Sequence, residues 1–103
     1  MNTMYERPKA PFRPGKPTVK PVNFYFEAAG AKSVCLSGDF NGWSPSAHPM
    51  QRRPDGWWYL QVPLRHGHHL YYFVVDGQRV PDPQSSGKAR NEHNEVASLV
   101  AVS

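Results

Sequence analysis

The side chains able to do chemistry in this chain are few and scattered. His48, His66, His68, His69 and His93 are its histidines, and the 66–69 group is close enough in sequence to invite a metal site. If those residues stand in a strand, however, His68 and His69 point to opposite sides of it. No cysteine lies beside them to complete a thiolate set, so they read as a solvated turn and no metal is expected.

The acids give no stronger signal. Asp39, Asp55, Asp76 and Asp82 all sit in Gly- or Pro-rich turns, where a carboxylate ordinarily accepts backbone N–H groups. None adjoins an apolar stretch that would hold one member of an acid/base pair protonated. Ser37-Gly38-Asp39-Phe40 lacks the order of a nucleophile elbow, and no glycine-rich dinucleotide or phosphate-loop pattern occurs. Cys35 is the only cysteine, which rules out an intramolecular disulfide, and its alternation with Val34 and Leu36 makes it an inert strand residue. The expectation is a protein with no catalytic residue and no cofactor.

What remains is SGDFNGW at residues 37–43. Gly38 and Gly42 permit backbone angles that other residues avoid, while Asp39 and Asn41 can bond nearby amides and stiffen a turn. Phe40 reads as the loop anchor, inserted into the body of the domain. Trp43 is then either an aromatic that closes one end of the fold or a ring held out for a flat ligand.

The elements that must position this loop are strands. At 103 residues the chain fits one domain with a two-layer core, and 39% apolar and 13% aromatic residues suffice to fill it. Five of the eleven prolines fall within residues 8–21, so residues 1–21 are expected to be an extended, basic arm and residues 22–103 the folded domain. Six of the twelve Lys and Arg precede residue 33, which places most of the +4 charge there. No basic block or basic helical face follows, so no specific nucleic-acid binding is expected. There is no apolar leader and no run approaching 18 apolar residues, and the expected setting is cytoplasmic, with no membrane partner.

Period-2 alternation predicts a strand from Val22 to Glu27, with Val22, Phe24 and Phe26 on one face. Ser33 to Ser37 follows, with Val34 and Leu36 inward, and then a short edge strand around His48 to Arg52. Trp57 to Val62 places Trp58 in the core and Trp57 on the surface or against a sheet, and Pro63 is expected to end it. A strand through Tyr71, Phe73 and Val75 turns at Asp76-Gly77 and returns as Gln78–Val80. A polar loop runs to about His93, and Glu95 to Val102 closes the chain. Short strands between Gly/Pro turns, with no helical period, predict an all-β sandwich.

The ordered pieces VCLSGDFNGWSP (34–45), DGWWYLQVPLRHG (55–67), LYYFVVDGQ (70–78), DP (82–83) and HNEVASLV (93–100) resemble the glycogen-binding domain family. That family includes the regulatory module of the AMP-activated kinase β subunit and the N-terminal modules of branching and debranching enzymes. The resemblance implies an early-set, immunoglobulin-like β-sandwich and a shallow site for α-1,4-linked glucan. It maps Trp43 onto a sugar-stacking tryptophan and Asn94 onto an asparagine that bonds sugar hydroxyls. Tyr72 falls where kinase-type members carry a lysine, and Arg79 where they carry a second stacking tryptophan. The opposite phase of Tyr72 to Tyr71, Phe73 and Val75 predicts that it is exposed beside Trp43. Catalysis in the related enzymes belongs to a separate barrel, so the implied function is non-catalytic, weak glucan binding for targeting or regulation. The alternative is a protein-interaction or structural sandwich without sugar binding. A protein partner, an enzyme subunit or a second copy of the chain are the other partners this reading admits.

Overall fold

Strand alternation drives the architecture of the computed structural model, which describes residues 19–103. Among the described residues there are eight strands: β1 (Val19–Glu27), β2 (Val34–Gly38), β3 (Gln51–Arg52), β4 (Trp57–Arg65), β5 (Gly67–Val75), β6 (Gln78–Val80), β7 (Gly87–Arg90) and β8 (Val96–Val102). They form two antiparallel sheets. The first has the order β1-β4-β3; the second runs β2-β5-β8-β7, with β6 also paired to β5. The arrangement is an immunoglobulin-like β-sandwich. The proline-rich arm expected over residues 1–21 lies, as far as residue 18, outside the described residues.

The core lies between the sheets. Phe24 from β1 and Trp58, Val62 and Leu64 from β4 meet Val34 and Leu36 from β2, Tyr71 and Phe73 from β5, and Val102 from β8. Phe24 packs edge-on to Tyr71 with ring centroids 4.9 Å apart, and Phe26 lies 4.8 Å from Phe73. Each large apolar side chain so buried contributes about 1.5–3 kcal/mol. The Trp58 indole N–H is satisfied by the Ala28 carbonyl at 2.9 Å.

Two strand expectations are corrected at prolines. β1 begins at Val19, three residues before the expected Val22, and β4 continues through Pro63 to Arg65, burying Leu64. The register explains both, because Pro21 stands directly opposite Pro63. Residues of a hydrogen-bonded antiparallel pair exchange both N–H groups, so two facing prolines can only occupy a non-hydrogen-bonded pair. Their missing donors would then point away from each other. For β1 that is the sheet edge, and for Pro63 it is the flank that β3 does not reach, since β3 pairs only with Trp58 and Tyr59.

The remaining differences are smaller. The edge strand expected at His48–Arg52 is reduced to Gln51–Arg52, with a single bridge from Pro49 to Cys35. The expected 81–93 loop contains β7, whose residues Gly87–Arg90 pair with β8. His68 and His69 lie within β5 and not in a turn. At Asp76-Gly77 both residues have positive φ, 49° and 85°, as a two-residue hairpin with the sheet's own twist requires.

Candidate functional site

The glycine-rich loop is fastened through Gly38, Asp39, Phe40 and Asn41 before it presents Trp43. Asp39–Asn41 form one 3-10 turn directly after β2. The Asn41 side chain accepts from the Gly38 N–H at 3.0 Å and donates to the Leu36 carbonyl at 3.0 Å and to His48 Nδ1 at 2.9 Å. Asp39 reaches across to β5, accepting from the Leu70 N–H at 3.0 Å and contacting His69 Nδ1 at 3.1 Å, while His69 Nε2 meets the Arg65 carbonyl. Phe40 packs on the core, 6.2 Å from Phe24. The Trp43 N–H closes the loop onto the Gly38 carbonyl at 2.9 Å.

Gly42 and Trp43 both adopt left-handed backbone, with φ of 66° and 61°. For glycine this is ordinary; for a bulky side chain it is an outlier that costs about 1–3 kcal/mol and persists only where its surroundings impose it. Here it turns the indole back over the outer face of the second sheet. Trp43 rests on Tyr72 with centroids 5.1 Å apart and planes inclined by 35°, and its Nε1–H donates to Glu92 at 3.3 Å.

Tyr72 is not the exposed second plate that strand phase predicts, for only 5% of it reaches solvent. The phase is right, because it lies on the outer face, but Trp43 covers it from above and Val74, Ala97, Cys35 and Leu70 complete a small second core around it. Its hydroxyl donates to Glu95 Oε1 at 3.0 Å. Burial, followed by this bond to a carboxylate, pushes the phenol pKa up, so Tyr72 remains a donor.

Glu95 is the hub beneath the platform. Oε1 also accepts from Asn91 Nδ2 at 3.0 Å, and Oε2 faces Arg79 Nε at 3.3 Å. The Asn91 bond first, with those of Tyr72 and the charges of Arg79 and His93, holds its carboxyl below the ordinary value of 4.5. Asn91, itself buried, accepts from the backbone N–H groups of His93 and Glu95, both at 2.9 Å, and so shapes the turn. That turn places Asn94 at φ 60°, exposed, with its carbonyl held by Arg90 Nη1 at 2.8 Å. Among the described residues the Asn94 side-chain amide has no hydrogen-bond partner.

Trp43, Tyr72 and Arg79 are thus linked in one patch, Arg79 through Glu95, and Asn94 projects from the turn that supplies Glu92 to Trp43. Glu92, Glu95 and Asn91 were missed by the sequence reading. The only trace of them is the polar run NEHNE at residues 91–95, which spans the end of the expected loop and the first residue of the expected last strand, Glu95. Elsewhere the acids accept backbone N–H groups, Asp55 from Trp57 and Asp82 from Gln84 within their own turns, and Asp76 from Ser33 in a loop remote in sequence. Burial raises the Cys35 thiol pKa, and among the described residues no cluster suited to a metal ion is present. A hollow of about 560 Å³ beside Ala29 and residues 52–56 lies at the β3–β4 turn, away from this platform.

An aromatic plate of this kind, flanked by a guanidinium, an amide and a carboxylate, suits a ligand with one apolar ring face and equatorial hydroxyls. The fold itself is an immunoglobulin-like β-sandwich that carries this platform on the outer face of its second sheet. The chain belongs to the family described as the glycogen recognition site of AMP-activated protein kinase, whose model matches residues 20–103. It is 40% identical over 85 residues to the 1,4-alpha-glucan branching enzyme GlgB of Burkholderia pseudomallei (strain 668), a match covering 78% of this chain and 12% of that enzyme. With the branching enzyme of Pseudomonas aeruginosa it shares 43% identity over 60 residues, 57% of this chain and 8% of the enzyme. The chain therefore spans only a small fraction of the length of these relatives. Membership supports glucan binding as the general function, through a module type that is itself non-catalytic. No helix among the described residues is long and apolar enough to cross a membrane.

Proposed function

We propose that the outer face of the second sheet binds α-1,4-linked glucan, such as glycogen, starch or a maltooligosaccharide, without transforming it. The observation that carries this reading is Trp43, held in strained left-handed backbone with its ring laid on Tyr72. One indole face takes the apolar face of a glucose unit, Tyr72 supports that ring from below, and Arg79 and Asn94 bond the hydroxyls. The relatives' name, 1,4-alpha-glucan branching enzyme, supports the linkage. A small, open platform with one stacking plate binds weakly and serves to target or regulate an associated activity in the cytoplasm.

Calorimetric titration with maltoheptaose tests this. The expected result is saturable binding that Trp43→Ala weakens by about tenfold or more, equivalent to about 1.4 kcal/mol. Folded protein that shows no binding at millimolar sugar overturns it. One observation favours a protein-contact surface instead: Arg79 is drawn to Glu95 and not left free. That reading expects affinity for a protein partner and none for the sugar.

A further inference from the structure

A second aromatic surface stands on the opposite side of the sandwich. Because Trp58, Val62 and Leu64 face the core, the register of β4 turns Trp57, Tyr59 and Gln61 outward, and that of β1 turns Asn23 and Tyr25 outward beside them. Tyr25 and Tyr59 are direct cross-strand partners with ring centroids 5.1 Å apart. Asn23 fixes the pair, since its Oδ1 accepts from the Tyr59 hydroxyl at 3.0 Å and from Gln61 Nε2 at 2.9 Å. Tyr25 nevertheless stays 39% exposed.

Cross-strand packing accounts for the two tyrosines but not for Trp57, which has no aromatic partner among the described residues. It lines, with Tyr25, Arg53, Asp55 and Gln84, a hollow of about 300 Å³, at the lower end of the range for small-ligand sites. Arg53 and Asp55 form an ion pair at 2.8 Å with both side chains 47% exposed, so donors and acceptors stand at the rim of an aromatic floor. A protein interface of ordinary size needs about 800 Å² per partner around a core depleted of charge. This face instead intersperses a few rings with amides and charges, which matches a single polyhydroxylated ring.

We propose that the outer face of the first sheet is a second carbohydrate-binding surface. Trp57 and Tyr25 take the apolar face of a pyranose, and Arg53, Asp55 and Gln84 bond its hydroxyls. That the sugar is an α-glucan rests on the function proposed above. Two sites on opposite faces let one molecule engage two glucan chains, which gives a weak module avidity for a branched polymer.

The three tryptophans make the test direct. In an NMR titration of the full chain with maltoheptaose, the indole N–H of Trp43 reports the second sheet and that of Trp57 the first. Trp58, bonded to Ala28 in the core, reports the fold. We expect Trp43 and Trp57 to shift along independent isotherms while Trp58 stays fixed. Trp43→Ala should leave the Trp57 isotherm intact. Tyr25→Ala should weaken the Trp57 isotherm by about tenfold without touching that of Trp43. A silent Trp57 beside a responding Trp43 overturns this second site and spares the platform. A responding Trp57 beside a silent Trp43 does the reverse, and silence at both overturns both. A Trp57 signal that follows protein concentration and not sugar makes the face a contact between copies, and also overturns the proposal.

Discussion

At Trp43 the cost of a positive φ is offset by what the indole gains, a ring beneath it and a carboxylate at its N–H. Tyr72 therefore matters more to stability than its outward phase suggests. Truncating a buried aromatic costs about 3–5 kcal/mol, and we expect Tyr72→Ala to approach that range in urea unfolding, with loss of sugar binding. A cost under 0.5 kcal/mol, ordinary for a surface site, would show that it is not a support. Glu95 supplies the pH dependence. Its folded pKa is depressed, so its contribution is present above the ordinary value of 4.5 and is lost as pH falls through the lower folded value. The stability difference between wild type and Glu95→Gln should accordingly be flat from neutrality down to about pH 5 and shrink in more acid solution, as measured by urea midpoints across pH. A difference that vanished already near neutrality would remove Glu95 from this role.

The decisive element is the β2–Trp43 loop, and Gly38 limits it by space and not by backbone angle. Its φ of −162° is ordinary extended backbone. A Cβ there would run into the Phe40 ring and approach the Leu70 carbonyl to 2.8 Å. Phe40 cannot yield without leaving the core, so Gly38→Ala should destabilise by about 1–3 kcal/mol, read as a lowered thermal midpoint. The sequence showed that glycine was needed in this stretch, but the reason it showed was turn geometry. The aromatic pressed against Gly38 became visible only with the packing. In the same way alternation located β1 and β4, yet Pro63 looked like a strand end because its partner Pro21 is remote in sequence. β7 went unseen because Gly87–Arg90 offers a short, exposed stretch with no apolar face to read.

For the molecule as a whole, Tyr71 joins parts that no single element contains. Its ring packs on Phe24 of the opposite sheet, and its hydroxyl donates to buried Asp82 at 2.5 Å, whose own N–H donates to Ser98 Oγ at 2.8 Å. Removing that hydroxyl leaves a buried carboxylate oxygen short of a donor. Tyr71→Phe should therefore cost about 1–3 kcal/mol although it deletes one atom, measurable by chemical denaturation. A neutral effect would mean that water replaces the bond.

The sequence by itself determined the direction of the side chains in the strands that alternation located, the Asp76-Gly77 turn, and the ordered motifs that mark the family, because pleating and turn chemistry are set by neighbours along the chain. It did not determine what covers an outward residue. Tyr72 and Tyr25 both point away from the core, yet one is sealed beneath Trp43 and bonded to Glu95, and the other stands open beside Trp57. That distinction belongs to the tertiary structure. Burial on a sheet's outer face is decided by loops distant in sequence, and the two-residue period that orients a side chain carries no record of them.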